Sequence, residues 1–284
     1  MSDIELEYAV PGACTVNYIT LFYRFRADVP LFEDVERADH AQIRFRLTPG
    51  GAEYSFADGN VQTASDVHIV GPTTGAVHVR APGPVHVFGA GITPLGWAAL
   101  VGNDASAMVN RIVNLEDLFG PGILDTVTEL KAAANIQGMV ACGEKVLSKL
   151  FRSQRDPALD FVQKVDAWLS TDTSPEINAL IAATGLSRRQ VERKCGALYG
   201  APPKELARKY RALRAAVSLV ADGASIDEVV NRGFYDQSHL IREVKHFTGF
   251  TPGQIQAEPT ILAQLTIAQR YALGGKVHPL ISDT

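Results

Sequence analysis

Arg188, Arg189, Glu192 and Arg193 fall on the outward side of a helical stretch whose inward stripe is Val191, Cys195 and Leu198, at i, i+4 and i+7. Arginine forks guanine O6 and N7 in the major groove and glutamate accepts from cytosine N4, so this set suits the reading of base edges. Taken singly, the stretch reads equally well as a solvated charged face. Forty-nine residues on, the pattern returns. Gln237, Ser238, His239 and Arg242 lie outside a second stripe of Leu240, Val244 and Phe247, and glutamine can bond adenine bidentately. The same offset carries Val191 onto Leu240, Arg193 onto Arg242, Leu198 onto Phe247, Gly200 onto Gly249 and Pro203 onto Pro252. An offset that preserves apolar, basic, Gly and Pro classes together marks a repeated structural unit.

Each copy has the layout of a helix-turn-helix. In the first, Ile177, Leu180 and Ile181 form the buried face of a scaffold helix, Gly185 turns the chain and Ser187 caps the next helix. In the second, Ile226, Val229 and Val230 are the scaffold stripe, Gly233 the turn and Asp236 the cap. Between them, Tyr210 to Val220 reads as one continuous helix with Leu213, Ala216, Val217 and Val220 on a face. A rigid connector of this kind would let two reading helices enter successive major-groove segments about 34 Å apart on one side of a duplex. The expected partner is double-stranded DNA.

Charge is distributed to match. The 284 residues carry 27 Lys/Arg against 31 Asp/Glu, a net −4. From Ser174 to Gln256 there are twelve basic and eight acidic residues, leaving fifteen against twenty-three elsewhere, so the repeated unit is basic on an acidic carrier. The first residues, Met1 to Glu7, are acidic where a secretory leader would be basic, and Pro82, Pro84 and Pro94 interrupt the longest uncharged run. Three widely spaced cysteines, Cys14, Cys142 and Cys195, argue against a disulfide or zinc framework. No membrane segment and a cytoplasmic location are expected.

The repeated region resembles the DNA-binding domain of AraC/XylS-type transcription regulators over residues 158 to 256. The most specific piece runs from Gly233 to Gly253, through Asp236-Gln237-Ser238-His239 and Thr251-Pro252-Gly253. Cys195 and Val244 depart from it, standing where the family usually has an aromatic, and the second scaffold helix is one residue short before Gly233. The resemblance places Arg189, Glu192, Arg193, Gln237, Ser238, His239 and Arg242 at base-contacting positions, and Lys204, Arg208, Arg232 and Lys245 at phosphate-contacting ones. It also implies a sensing domain for a small-molecule effector, with RNA polymerase and a second copy of the chain as further candidate partners.

The N-terminal part alternates. Ile43/Phe45/Leu47, Tyr54/Phe56, Val67/Ile69, Val77/Val79 and Val85/Val87 lie two apart between turn-formers, which predicts short antiparallel strands. The expected fold class is α+β: an N-terminal β barrel or sandwich, cupin-like by resemblance, with flanking helices from Asp104 to Leu150, and an all-α C-terminal domain with two helix-turn-helix motifs. The predicted divisions are 1–150, a linker at 151–157, the DNA-binding domain at 158–256 and an extension at 257–284. In the extension, Ile261, Leu262, Leu265, Ala268 and Ala272 share a helix face, fit either to cap the DNA-binding domain or to meet a partner. His68, His78 and His86 stand on separate strands without a His-x-His pair, so no metal and no cofactor are expected. The N-terminal aromatics read as core before pocket. Arg44 and Arg46, alternating with Ile43, Phe45 and Leu47, are expected outside; with Arg80 they are the candidates for an anionic effector. A cupin-type enzyme and a DNA-repair methyl acceptor are the alternatives to a non-enzymatic regulator, the latter needing a reactive thiol.

Overall fold

Strand-forming alternation in the first hundred residues yields β1 (Ile4–Ala9), β2 (Ile19–Ala27), β3 (Leu31–Glu36), β4 (Ala41–Arg46), β5 (Ala52–Ser55), β6 (Val61–Ala64), β7 (Val67–Val70), β8 (Val77–Pro82) and β9 (Val85–Ile92). After α1 (Pro94–Leu100) comes one more strand, β10 (Ile112–Asn114). The computed structural model describes residues 4–151 and 158–284. The predicted linker at 151–157 lies outside the described residues except for Phe151, as do Met1 to Asp3.

The strands pair antiparallel in two sheets, ordered β1-β2-β9-β4-β7-β10 and β3-β8-β5-β6. The two sheets share no paired strand among the described residues, so the fold is an open sandwich and the closed-barrel alternative is corrected. Register sets what each face carries. Phe45 opposes Phe88 and Ile43 opposes both Ala90 and Ile69, which puts large apolar groups on one face of the six-stranded sheet. That face packs on Trp97, Leu100, Leu130, Met139 and Leu147. The other face, with Leu6, Phe25 and Val85, meets Phe32, Tyr54, Phe56 and Val79 of the second sheet. Both faces are therefore covered.

This overturns the placement of two arginines. Arg44 and Arg46 do alternate with Ile43 and Phe45, but they point between the sheets and are 7% and 4% exposed. Alternation separates two faces without saying which meets water. Arg80 is on the surface, near Glu33 at 3.8 Å.

The expected helices are α2 (Leu115–Phe119), α3 (Asp125–Ala132) and α4 (Ile136–Leu150), with a second correction inside the helical stretch. Ile112–Asn114 is a strand because the outer edge of β7 offers it backbone partners, Ile112 opposite Val70 and Asn114 opposite His68. The C-terminal half is helical: α5 (Leu159–Thr171), α6 (Ile177–Thr184), α7 (Arg188–Tyr199), α8 (Pro203–Val220), α9 (Ile226–Asn231), α10 (Gln237–Thr248), α11 (Pro252–Ala257), α12 (Ile261–Tyr271) and α13 (Pro279–Ser282). One core gathers Phe161, Val165, Leu180, Val191, Cys195 and Leu206, another Leu219, Val229, Leu240, Val244 and Ile255. The extension helix α12 does more than cap: it packs on β1 and β3 as well as on α8, with Leu262 and Leu265 against the inter-sheet core. No helix among the described residues is long and apolar enough to cross a membrane.

Candidate nucleic-acid interface and the cavity behind it

The two reading helices are built alike. Helix α7 starts on a capping box, in which the Gln190 N–H donates to Ser187 Oγ at 3.4 Å and the Ser187 N–H donates to Gln190 Oε1 at 2.9 Å. Helix α10 starts on Asp236, whose Oδ1 accepts the His239 N–H at 2.7 Å. Both run twelve residues and end on glycine in the left-handed region, Gly200 at φ 79° and Gly249 at φ 84°. Only glycine adopts that conformation freely, so the stop is written into the repeat. Val191, Cys195 and Tyr199 bury one face of α7; Leu240, Val244 and Phe247 bury that of α10. Leu198, expected inside, is half-buried.

What remains faces out. Arg188, Arg189, Glu192 and Arg193 are exposed on α7, and Gln237, Ser238 and Arg242 on α10. His239 is half-buried: its Nδ1 accepts the Tyr235 N–H at 3.2 Å and its ring meets Phe234 edge-on at 5.6 Å, which leaves Nε2 for an outside partner. Tyr235, beside it in the turn, is 92% exposed, and reasoning from periodicity passed over it because turns were read only for caps. An aromatic in a turn that buries nothing was the available signal.

Lys204, Arg232 and Lys245, expected at phosphate-contacting positions, are exposed. Arg208, the fourth of the expected phosphate contacts, is half-buried and already ion-paired. Its Nε and Nη2 donate to the two oxygens of Glu243 at 2.9 and 2.7 Å, and its Nη1 to both oxygens of Glu205 at 2.9 and 2.7 Å. These bonds, Glu243 first, raise its pKa further above the ordinary guanidinium value. The forked pair joins α8 to α10 and so sets the second reading helix against the connector. At 1.5 Å per residue the eighteen residues of α8 span about 27 Å, a rigid spacer between the two motifs.

The family model described as "Helix-turn-helix domain" matches residues 180–258, which takes in both reading helices and the connector. Residues 180–258 are an AraC-type helix-turn-helix domain. The chain is accordingly a DNA-binding regulator. No curated protein matches it in sequence. Among solved structures, ToxT from Vibrio cholerae aligns with a TM-score of 0.48 at 11% identity, over 91% of this chain and 100% of that one. Unsaturated fatty acid-bound ToxT gives 0.45 at 14% identity over 84% and 96%, and the AraC-like transcriptional activator CuxR 0.32 at 11% over 80% and 91%.

The AraC-type domain is seated on the sandwich by the back ends of its helices. On α10, the carbonyl of His246 accepts the Ala76 N–H at 2.9 Å, that of Phe247 accepts the Ala38 N–H at 2.7 Å, and His246 Nε2 bonds the Thr74 carbonyl at 2.8 Å. On α8, Lys209 Nζ donates to the carbonyls of Asp39 at 2.7 Å and Thr73 at 3.2 Å, and Tyr210 Oη pairs with His40 Nε2 at 2.9 Å. The 38–40 and 73–76 segments thus hold the connector and the second reading helix together.

Beside this seam lies a cavity of about 130 Å³ between the two sheets, α8, α11 and α12. Its wall is mostly apolar, including Phe25, Val79, Val217 and Ile267. Arg44 and Arg46 reach it from β4: Arg44 pairs with Glu36 at 2.6 Å and donates to Tyr54 Oη at 2.8 Å, while Arg46 is spent on backbone carbonyls, among them Pro84 at 3.3 Å. Two further arginines, Arg37 and Arg270, line it and were not legible beforehand, being far apart in sequence and each ordinary in its own segment. His68 also lines it, bonded to Tyr54 Oη at 3.1 Å and Ser65 O at 2.7 Å, and burial, then Arg44, pull its pKa down to about 3, so it is neutral. His78 is exposed and His86 pairs with Asp28 at 2.7 Å. Of the thiols, Cys195 is fully buried and burial pushes it up to about 12, the opposite of what a methyl acceptor needs.

Proposed function

We propose that the chain is a transcription regulator in which α7 and α10 read successive major-groove segments, and whose operator affinity responds to a small molecule held in the cavity. In this reading residues 1–150 are the sensing part, 158–256 the DNA-binding part and 257–284 an extension that closes the cavity. Arg188, Arg189, Glu192, Arg193, Gln237, Ser238, His239 and Arg242 face bases, while Lys204, Arg232 and Lys245 face phosphates. The protein acts in the cytoplasm without turning over a substrate, with RNA polymerase and a second copy of the chain as candidate partners at the promoter.

The observation that carries the reading is the pair of twelve-residue helices, alike in caps and stops, that present Arg, Gln and Ser outward from a shared rigid connector. Effector control is supported by the position of the cavity, whose wall takes residues from the sheets, from α8 of the AraC-type domain and from α12. Anything that enters it touches both halves of the chain.

Selection of preferred duplexes from a random library by the full chain tests the first part. Arg193→Ala and Arg242→Ala each cost about 1–3 kcal/mol and fade different halves of a bipartite motif, whereas Lys204→Ala weakens all sequences evenly. Equal, sequence-independent losses for all three overturn base reading. For the effector, Ala263→Phe places a ring from α12 into the cavity, and operator affinity shifts; an unchanged affinity removes the cavity from control.

A further inference from the structure

The AraC-type domain has two cores strung along one connector. Leu206 and Tyr210, in the first half of α8, pack with Phe161, Leu180 and Val191. Ala216, Val217 and Leu219, in the second half, pack with Val229, Leu240 and Val244. Two packed bodies joined through one helix shift against each other unless a further contact ties them. Residues 172–174, between α5 and α6, make that tie. Midway along α8, Arg211 Nη1 donates to Ser174 Oγ at 2.9 Å and Arg214 Nη1 to the Asp172 carbonyl at 3.1 Å. From the other side, Thr173 Oγ1 donates to the carbonyl of Arg232 in the turn of the second motif. The approach is close: a Cβ on Gly233 would stand 3.0 Å from Ser174 Oγ and 3.2 Å from Thr173 Oγ1. Arg211 also lies over the Phe234 ring at 5.2 Å, and Phe234 meets His239 of α10 edge-on. The segment that leads into the first scaffold helix is therefore bonded to the turn that leads into the second reading helix.

Resting on the reading of α7 and α10 as two groove readers, we propose that Thr173 and Ser174 are positioning residues that fix the distance and angle between them, so that the protein accepts its two half-sites at one spacing. The geometry of the duplex makes that setting consequential. One base pair added or removed between half-sites moves the second by about 3.4 Å along the axis and turns it by about 35°. The Arg208–Glu243 pair fixes α10 on α8, so the give has to come from α5 to α7 swinging about the connector. That swing parts Ser174 from Arg211 and Thr173 from Arg232. Two hydrogen bonds of ordinary net strength, one of them from a charged donor, set a penalty of about tenfold against the altered spacing. Neither residue stands on a reading helix; both act through the two motifs they join.

Binding of the full chain to duplexes that carry its selected bipartite motif at the selected spacing, and at spacings one base pair longer or shorter, tests this. The parent binds the selected spacing at least about tenfold more tightly than either neighbour. The double variant Thr173→Val, Ser174→Ala binds the selected spacing within about threefold of the parent, and its penalty at the neighbouring spacings falls by about tenfold. Each single variant shows about a threefold fall, and Thr173→Ser, which keeps the hydroxyl, shows none. A change that only destabilised the domain would lower binding at all spacings alike. An unchanged penalty in the variants, or an equal loss at every spacing, overturns the proposal. A parent indifferent to spacing also overturns it, yet leaves two helices that read. A selected motif with one half only overturns the two-helix reading and the proposal together.

Discussion

Lys209→Met probes the seam between the two halves. Lys209 is 7% exposed, and its ammonium bridges the Asp39 and Thr73 carbonyls. Burial pulls its pKa from 10.5 down to about 8, opposed by Asp39 and assisted by Arg37 and Arg270. For a base held below its unfolded value the charged form is penalised, so the cost is fully present below pH 8 and is relieved as pH rises towards 10.5. At 1.36 kcal/mol per tenfold, the cost is about 3 kcal/mol at neutral pH, of which about 2 kcal/mol is recovered between pH 7.5 and 9.5. Methionine removes that pH dependence and strands two carbonyls, at about 1–3 kcal/mol each whatever the pH. The two effects oppose each other near pH 7.5, where variant and parent differ by only a few kcal/mol. The parent then gains on the variant as pH rises. Urea unfolding midpoints at pH 7.5, 8.5 and 9.5, converted with a common m-value, measure the gap. Parallel curves for the two proteins across that window refute the reasoning.

Two other perturbations follow from the same geometry. Glu243→Ala breaks the forked link from α8 to α10 and costs about 1–3 kcal/mol in urea, discounted from a fully buried pair because Arg208 is about a third exposed and keeps Glu205; a loss below 0.5 kcal/mol would show that apolar packing alone sets the second reading helix. His68→Gln flattens the acid limb of stability, because a buried imidazole held at about 3 loses the folded state about 2–3 kcal/mol as pH falls from 6 to 4. Equal slopes in parent and variant would show that His68 takes up its proton without cost.

The reading helices were legible because everything that builds them is local. A cap three residues from its donor, an apolar stripe at i, i+4 and i+7, and a glycine stop all lie within one twelve-residue stretch, and the repeat wrote them twice. The strands were legible as strands for the same reason, since alternation is a property of neighbours. Which side of a strand meets water is not. Arg44 and Arg46 are inside because α1, α3 and α4 cover one face of their sheet and β3, β5 and β8 the other, and no period in residues 41–46 carries that information. Ile112–Asn114 became a strand through β7, more than forty residues earlier, and Arg208 lost its freedom to Glu243, thirty-five residues later. The cavity is the extreme case. Arg37 and Arg270 stand at opposite ends of the chain and meet over Asp39 only when α12 has packed across β1 and β3. Sequence by itself determined the two helix-turn-helix units, because hydrogen bonds and periodicity within a helix are short-range. Tertiary structure alone decided which charged side chains share a cavity, because Arg37, Asp39 and Arg270 come together only once distant segments have packed on one another.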